Sequence, residues 1–366
     1  AGTLGIGVVK DNAQLSANGS GTTTSGQAEG MGSTLSTETN TKGTTNTGYA
    51  LAGGKLVVKL DSNGSAVSGK AEGLNSNLTA EKNTTGVDVT GLAMNGGSMT
   101  ANQDSTGSSA KGMADGGDMT TGMNSTGTDV SGKATAGGQV AGGNNSTADS
   151  VRGNADGTGS MLATGTNGTA SSASGSAMNG GMVLVDDDAV SGTAKGVADG
   201  QGSMVMTGSK SVASTSAGQA TDGAAVMVDT EAVASTAKGS ANSPTSMVMV
   251  ASKAIASSAE GAVDSGGQVI VDKQAIASSA KGSANSNGMI MTGVDTIASS
   301  ASGKVTNSAQ MIVDTASVSS SVRGSASGLN SMMMAAPNTV AAAISGRADF
   351  AAQMIVSSGA VSSSVR

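Results

Sequence analysis

A signature containing valine or isoleucine returns along the chain every 21 or 22 residues, and this repeat limits what the sequence can fold into. The apolar position recurs in nine successive copies, at Val190, Val212, Val233, Ile255, Ile276, Ile297, Val318, Val340 and Val361. A fixed period of this length is typical of repeat architectures, in which each unit stacks on its neighbours to bury an apolar face. The sequence therefore predicts a tandem-repeat protein.

The composition argues against a conventional globular core. Among 366 residues there are one Tyr, one Phe and no Trp, whereas 57 residues are Gly and 21 are Met. Aromatic rings normally dominate burial in globular cores, so this interior has to be built from Ala, Val, Ile and Met. Chains rich in Gly and Ser are often disordered, but disorder would not keep the apolar positions in phase over nine copies.

Each copy in the second half contains two short stretches with the pattern of β-strands. The first is seen in residues 233–241 (VASTAKGSA), where small residues occupy alternate positions and Lys238 lies on the opposite face. Alternation with a period of two indicates a strand rather than a helix. The second stretch is shorter, as in residues 247–250 (MVMV). Pro244 and Pro337 fall in turns, where they remove no hydrogen bond from the sheet.

The predicted fold class is all-β, a parallel β-solenoid of about 17 coils with two strands per 21–22-residue repeat. We expect irregular repeats over residues 1–180 and regular repeats over 181–366, in one continuous solenoid with coils about 4.8 Å apart. In the first half, residues 67–73 (VSGKAEG) match residues 190–196 (VSGTAKG). Residues 361–366 (VSSSVR) copy an earlier segment and stop before its next glycine, so the solenoid is expected to end inside a repeat.

Charged residues favour stacking in register. The residue after the second strand alternates between acidic and small neutral types until the last step: Asp186, Gly208, Asp229, Ala251, Asp272, Gly293, Asp314, Ala336 and Ser357. Two carboxylates on adjacent rungs would repel by about 3.5 kcal/mol at an effective dielectric constant of about 20. Position six of the first strand also keeps like charges apart, and it predicts a favourable ladder of Lys238, Glu260 and Lys281.

The second strand is apolar at three consecutive positions, as in Val248, Met249 and Val250. Two interpretations are open, since the strand either bends at a corner of the solenoid or is covered on both faces. If both faces are covered, one meets the first strand of the coil and the other presents a methionine stripe to a partner: Met206, Met227, Met249, Met291 and Met334. A stripe of this length exceeds the apolar patches that monomers usually expose.

Several classes of function have no support in the sequence. The formal charge is −7 with acidic and basic residues mixed, and there is no aromatic platform, which argues against nucleic-acid binding. No apolar run approaches the roughly 20 residues needed to span a bilayer. His and Cys, the common zinc ligands, are absent. We therefore expect no enzyme activity, no cofactor, and no catalytic, cofactor-binding or metal-binding residues.

A few short motifs resemble functional sites. Residues 235–238 (STAK) and 278–281 (SSAK) match the Ser-x-x-Lys of acyl-serine enzymes, but they recur inside a strand repeat without partner motifs. The pairs at residues 116–117 and 180–181 are glycines without the strand–loop–helix setting of a phosphate-binding loop. Residues 186–188 (DDD) could bind calcium together with turn carbonyls, and a solvated corner is the alternative.

The two-strand unit of about 22 residues, repeated without Cys, resembles the architecture of curlin-type fibre subunits. These subunits stack into the β-solenoid functional amyloids of bacterial biofilms. The resemblance lies in repeat length and strand–turn–strand rhythm, while the internal Gln and Asn ladders of curlin units are replaced here by columns of Val, Ser, Ala and Gly. The chain is also similar to the β-helical shafts of large bacterial adhesins. The first resemblance implies secretion and self-assembly.

The sequence thus predicts a non-catalytic, self-assembling subunit of an extracellular fibre, either a biofilm matrix component or a surface filament. Copies are expected to join end to end and to pair laterally through the methionine stripe. The alternative is the rod-like stalk of a bacterial surface adhesin, which would remain a capped monomer in solution. Both interpretations place the protein outside the cell or at the surface of a bacterium, without a membrane span.

Overall fold

The computed structural model of the protein describes most of the chain as β-structure. The described residues are 4–17, 21, 23–37, 42–58, 63–80, 83, 85–86, 88–101, 104, 106–107, 109–121, 123–124, 126–127, 129–147, 150–185, 187–318, 321–340, 343–356 and 364–365. They contain 35 strands and no helix.

Long and short strands alternate along the chain. The long strands have odd numbers: β1 (Leu4–Lys10), β3 (Thr23–Glu29), β5 (Thr45–Leu51), β7 (Ala66–Glu72), β9 (Asp88–Met94), β11 (Ser109–Asp115), β13 (Asp129–Thr135), β15 (Ser150–Asp156), β17 (Ser172–Met178), β19 (Thr193–Asp199), β21 (Thr215–Thr221), β23 (Thr236–Ala241), β25 (Ser258–Val263), β27 (Ser279–Ala284), β29 (Ser300–Thr306), β31 (Ser321–Ser327) and β33 (Ala343–Asp349). The short strands have even numbers: β2 (Gln14–Ala17), β4 (Thr34–Thr37), β6 (Lys55–Val58), β8 (Asn77–Ala80), β10 (Ser98–Ala101), β12 (Asp118–Thr121), β14 (Gln139–Ala141), β16 (Met161–Thr164), β18 (Met182–Val185), β20 (Met204–Thr207), β22 (Ala225–Val228), β24 (Met247–Val250), β26 (Gln268–Val271), β28 (Met289–Thr292), β30 (Gln310–Val313), β32 (Met332–Ala335) and β34 (Gln353–Val356). The last strand, β35 (Ser364–Val365), pairs with β33.

The chain forms two compact units. Unit 1 comprises residues 1–176 and 181–186, and unit 2 comprises residues 177–180 and 187–366. Within each unit, long strands pair in parallel with long strands and short strands with short strands, so every coil adds one strand to each of two sheets. Strands β1 to β34 supply one long and one short strand per coil. The prediction of an all-β parallel solenoid with two strands per repeat is confirmed.

Stacking in unit 2 is in register, as the charge pattern predicted. Lys238 on β23 pairs with Glu260 on β25, and Glu260 pairs in turn with Lys281 on β27. The Lys238 Nζ atom lies 3.5 Å from Glu260 Oε2. The backbone amide of Ala251 donates to the carbonyl of Val228, in the preceding coil, at 2.8 Å. In the same way, the amide of Asp272 donates to the carbonyl of Val250 at 2.9 Å. The acidic and neutral residues that alternate in the sequence therefore stack directly on one another in successive coils. Asp186 and Ser357 lie outside the described residues.

The interior is a thin layer between the two sheets. Ala237 and Ala241 on the long strand and Val248 and Val250 on the short strand are fully buried. Equivalent positions in unit 1 combine buried long-strand residues such as Val67 and Ala71 with larger short-strand residues such as Leu78. Because small residues face larger ones across a narrow gap, the core is filled without aromatic rings.

A serine ladder inside unit 2 satisfies backbone groups where the long strand begins. It consists of Ser214, Ser235, Ser257, Ser278 and Ser299. The Ser235 amide donates to Ser257 Oγ at 3.1 Å, and Ser257 Oγ donates to the Ile255 carbonyl at 3.1 Å. Buried polar groups need such partners, so these serines fix the path of the chain at this corner.

One glycine lies in the middle of each long strand, as Gly69 and Gly91 do in β7 and β9. Gly91 has φ +141°, and a Cβ atom added to it would overlap the carbonyl oxygen of Gly69. Any side chain would therefore push neighbouring coils apart at this position. The glycine column sets how closely the coils approach.

The glycine column also corrects the predicted alignment of the two halves. The mid-strand glycine is Gly69 in β7 and Gly196 in β19. The segments 67–73 and 190–196, which look alike in sequence, are thus offset from each other by four residues. Val67 occupies a buried strand position, whereas Val190 lies on an exposed corner before its strand begins.

Candidate functional site

The main surface feature of unit 2 is a column of exposed Val and Ile side chains, and it contradicts the expectation that these residues face the core. The column comprises Val190, Val212, Val233, Ile255, Ile276, Ile297, Val318 and Val340, each joined to the next by a parallel β-bridge. Their side chains are 37–47 % exposed. Eight rungs at about 4.8 Å place this ladder along about 34 Å of unit 2.

The ladder points outward because the chain turns directly after it. Ala256 and Ala277, the residues that follow Ile255 and Ile276, have φ +52°. This left-handed conformation ends the extended backbone. Ala234 also has φ +52°, so the strand predicted at residues 233–241 is interrupted and β23 begins at Thr236 instead of Val233. The alternation of the strand therefore does not extend back to Val233.

Unit 1 has a polar version of the same corner. Its bridged column consists of Lys42, Asn63, Thr85, Thr106, Thr126, Thr147 and Thr169. The residue that follows is glycine in five of these coils, at Gly43, Gly64, Gly86, Gly107 and Gly127. Next to the threonines, Asn167 donates to Asn145 at 3.1 Å and Asn124 donates to Asp104 at 3.2 Å. The two units thus share a backbone geometry at this corner and differ in its surface chemistry.

Alanine is a costly choice for this conformation. An L-residue with a side chain is disfavoured in the left-handed region by roughly 1–2 kcal/mol, whereas glycine adopts it freely. Unit 1 uses glycine in most coils, but unit 2 uses Ala213, Ala234, Ala256, Ala277 and Ala298, all of them exposed. The additional methyl groups widen the apolar ladder at the expense of stability.

A second apolar surface lies on the outer face of the short strands of unit 2. Val248 and Val250 point inward and are buried, while Met247 and Met249 point outward and are partly exposed. The strand therefore alternates between the core and the outer face, and the structure does not show the corner bend. The predicted methionine stripe is a real column, completed by two isoleucines: Met206, Met227, Met249, Ile270, Met291, Ile312 and Met334. Met206 is only 9 % exposed.

A polar, mostly charged column lies between the Val/Ile ladder and the methionine face. It includes Lys210, Glu231, Lys253, Gln274 and Asp295. Lys253 Nζ lies 3.7 Å from Glu231 Oε1, and both side chains are well exposed. The two apolar surfaces of unit 2 are therefore distinct strips along one solenoid.

The short motifs do not assemble into catalytic groups. Ser235 is buried and bonded to backbone groups, whereas Lys238, three residues later, projects from the outer face. A lysine on the opposite side of the strand cannot take a proton from that serine. Gly116 (φ +57°) and Gly180 (φ +84°) lie in tight turns.

In the acidic run at residues 186–188, the structure describes residues 187 and 188. Asp187 Oδ1 accepts a hydrogen bond from the Ser209 amide at 2.7 Å, and Asp188 adopts φ +56°. Within the described residues, no cluster of three or more acidic side chains could hold a metal ion. In the same part of the chain, no helix could cross a bilayer.

Sequence reasoning identified the Val/Ile column but placed it in the core. The signal that could have located it is the small residue directly after each member of the column, which is Ala in most coils of unit 2 and Gly in most coils of unit 1. A small residue in that place is compatible with positive φ. No protein-family model matches the chain, and no curated protein is significantly similar to it.

Proposed function

We propose that the protein is a non-catalytic structural subunit of an extracellular fibre, and that copies associate laterally through the apolar ladders of unit 2. The observation that carries this proposal is the exposed Val/Ile ladder, which extends over eight consecutive rungs. Identical β-branched columns with the same 4.8 Å repeat can interdigitate along their length in a dry interface. The methionine face supplies a second strip for another copy.

The left-handed alanines support a functional role for this ladder. Glycine occupies the equivalent place in most coils of unit 1, so the fold does not require alanine there. Surfaces that are retained at the expense of stability commonly serve function. Within the fibre, addition of copies end to end would use the same parallel hydrogen bonding that joins coils inside each unit.

Negative-stain microscopy of the purified chain at rising concentration tests the proposal. We expect unbranched filaments to form, accompanied by an increase in light scattering. The triple variant Ile255→Thr, Ile276→Thr and Ile297→Thr places threonine, the commonest residue of the unit 1 column, on three neighbouring rungs. It should keep the circular dichroism of the native chain and lose assembly, because threonine is tolerated at this corner but is less apolar.

A matched control is the triple variant Ser240→Thr, Ser283→Thr and Ser325→Thr, which adds threonines to the outer face of the long strands and should assemble normally. Discrete particles of fixed length at every concentration would contradict the fibre and favour the adhesin stalk. Normal assembly of the isoleucine variant would show that the ladder is not the interface.

A further inference from the structure

We propose that unit 1 carries a binding groove for a neutral oligosaccharide, centred on Tyr49, on the outer face of its long strands. This inference does not depend on lateral association, since it concerns a different face and a different unit. Tyr49 is the single tyrosine of the chain and is 55 % exposed. A tyrosine without a packing role in the core is available to a ligand.

The floor of the groove is the glycine column. Gly26, Gly48 and Gly69 stack on successive long strands and leave a strip without side chains. Their backbone groups are engaged in the parallel sheet, so the strip presents CH₂ groups and flat peptide planes. One floor position recurs every 4.8 Å or so, which is close to the length of one sugar ring in an extended β-linked chain.

The two walls have different chemistry. Ser25, Thr47 and Ser68 form a column of hydroxyl groups on one side of the glycines. The column on the other side contains Tyr49 and also Val8, Gln27, Lys70 and Leu92. Residues two apart on a strand are separated by about 7 Å, a width that accepts one sugar ring between the hydroxyl donors and the column that contains Tyr49.

Open depressions of the surface lie on both sides of the tyrosine ring. One, of about 560 Å³, is lined by Thr47, Gly48, Tyr49, Ser68, Gly69, Lys70 and Leu92. The other, of about 440 Å³, is lined by Val8, Ser25, Gly26, Gln27, Thr47, Gly48 and Tyr49. Both depressions are open to solvent. Because Tyr49 borders both depressions, a linear ligand can pass the ring and contact each of them.

The charges near the groove are paired, which indicates a neutral ligand. Lys70 Nζ lies 2.6 Å from Glu72 Oε2, and Lys10 Nζ lies 2.7 Å from Glu29 Oε2. Gln27 also donates to Glu29 at 3.1 Å. An aromatic face, hydroxyl groups and compensated charges match the CH faces and hydroxyls of an uncharged saccharide better than a phosphate or a uronic acid.

The intrinsic fluorescence of the full chain provides a direct test. Because there is one Tyr and no Trp, tyrosine emission reports on Tyr49 alone. The probes are cellohexaose, chitohexaose, laminarihexaose, xylohexaose and mannohexaose, with hexagalacturonate as an acidic comparison. At least one neutral hexasaccharide should change the emission saturably, and free glucose should bind far more weakly because it fills one rung.

Variants then locate the site by calorimetry with the hexasaccharide that binds. Tyr49→Ala should weaken binding at least tenfold, whereas Tyr49→Phe should retain most of it because the ring remains. Phe350→Ala, which removes the other exposed aromatic side chain, should leave binding unchanged. Ser68→Phe, a change on an outward and half-buried position, should block the groove while preserving the circular dichroism of the fold.

The proposal is overturned if no neutral hexasaccharide binds, or if Tyr49→Ala binds as the native chain does. It is also overturned if hexagalacturonate alone binds and Lys70→Gln abolishes that binding. The same titration on the Ile255, Ile276 and Ile297 threonine variant separates this site from the fibre, because saccharide binding should persist in a chain that no longer assembles.

Discussion

Asp229 and Asp272 occupy the same column of unit 2 and are separated by one coil, in which Ala251 stands between them. Each carboxylate accepts a hydrogen bond from a serine hydroxyl of the preceding coil, as Asp272 does from Ser252 at 3.3 Å. The small neutral residue therefore spaces the charges, and the neighbouring serine solvates them.

Filling that spacer with charge should destabilise unit 2. We expect the free energy of unfolding of Ala251→Asp to be lower than that of Ala251→Asn by about 3.5 kcal/mol or more, since one carboxylate would lie a rung away on each side. The asparagine variant has nearly the same size and controls for burial. High salt should narrow the difference, and equal stability of the two variants at low salt would contradict direct stacking of the charges. Gly293 is unsuitable for this test, because a Cβ atom there would lie 2.8 Å from the Asp272 carbonyl carbon.

The mid-strand glycines should not tolerate a methyl group. Gly91→Ala is expected to cost about 3 kcal/mol or more, because the new Cβ atom meets the backbone of the coil before it. Gly86→Ala, five residues earlier, has open space around its Cβ position and φ +58°, so its cost should stay near 1 kcal/mol. Urea unfolding followed by circular dichroism measures both, and similar losses would show that close approach of the coils is not the cause.

Replacing either of two inward-facing threonines with valine should increase the stability of the fold. Thr207 and Thr292 lie in a buried column with valines, and their hydroxyl groups have no hydrogen-bond partner. Thr292→Val should stabilise the chain by about 1 kcal/mol, since a buried unpaired hydroxyl is lost without a change in shape. The reverse change on the adjacent rung, Val271→Thr, should destabilise it. A loss of stability in Thr292→Val would indicate a partner for the hydroxyl.

Replacing the left-handed alanines should separate stability from assembly. Ala256→Gly, Ala277→Gly and Ala298→Gly relieve positive-φ strain and should together raise the free energy of unfolding, by about 1 kcal/mol or more. The same change removes three methyl groups from the ladder, so filament formation should weaken. If the glycine variant were less stable than the native chain and still assembled fully, the alanines would neither cost stability nor contribute to assembly.

The ion pair beside the saccharide groove should be visible in a carboxyl titration. A hydrogen bond from the Lys70 ammonium group, with its charge, holds the pKa of Glu72 below its usual value of 4.5. Because this folded-state pKa is lowered, the stabilisation is present above pH 4.5 and is lost as the pH falls through the lowered pKa. In a ¹³C NMR titration, Lys70→Gln should return the Glu72 midpoint towards 4.5, and an unchanged midpoint would exclude the pair.

The sequence alone was sufficient to predict the repeat, the two strands per coil and stacking in register. Residues that share a column experience the same environment, and that environment recurs in sequence as a fixed spacing of Ala237, Ala259 and Ala280 or of Lys238 and Glu260. The alternation of charge also indicates which residues stack on one another in adjacent coils, because like charges repel between adjacent rungs. These features are encoded by period and are therefore readable without coordinates.

Which columns face the core and which face solvent depends on the tertiary structure. A period identifies the residues of a column, but its side of the coil depends on every change of direction between strands. Ala256 and Ala277 turn the chain through the left-handed region, a conformation that an alanine by itself does not predict and that only comparison with the glycines of unit 1 suggests. As a result, Ile255 and Ile276 lie outside. The groove at Tyr49 is likewise a product of stacking, since Gly48 forms a floor only when Gly26 and Gly69 lie directly below and above it.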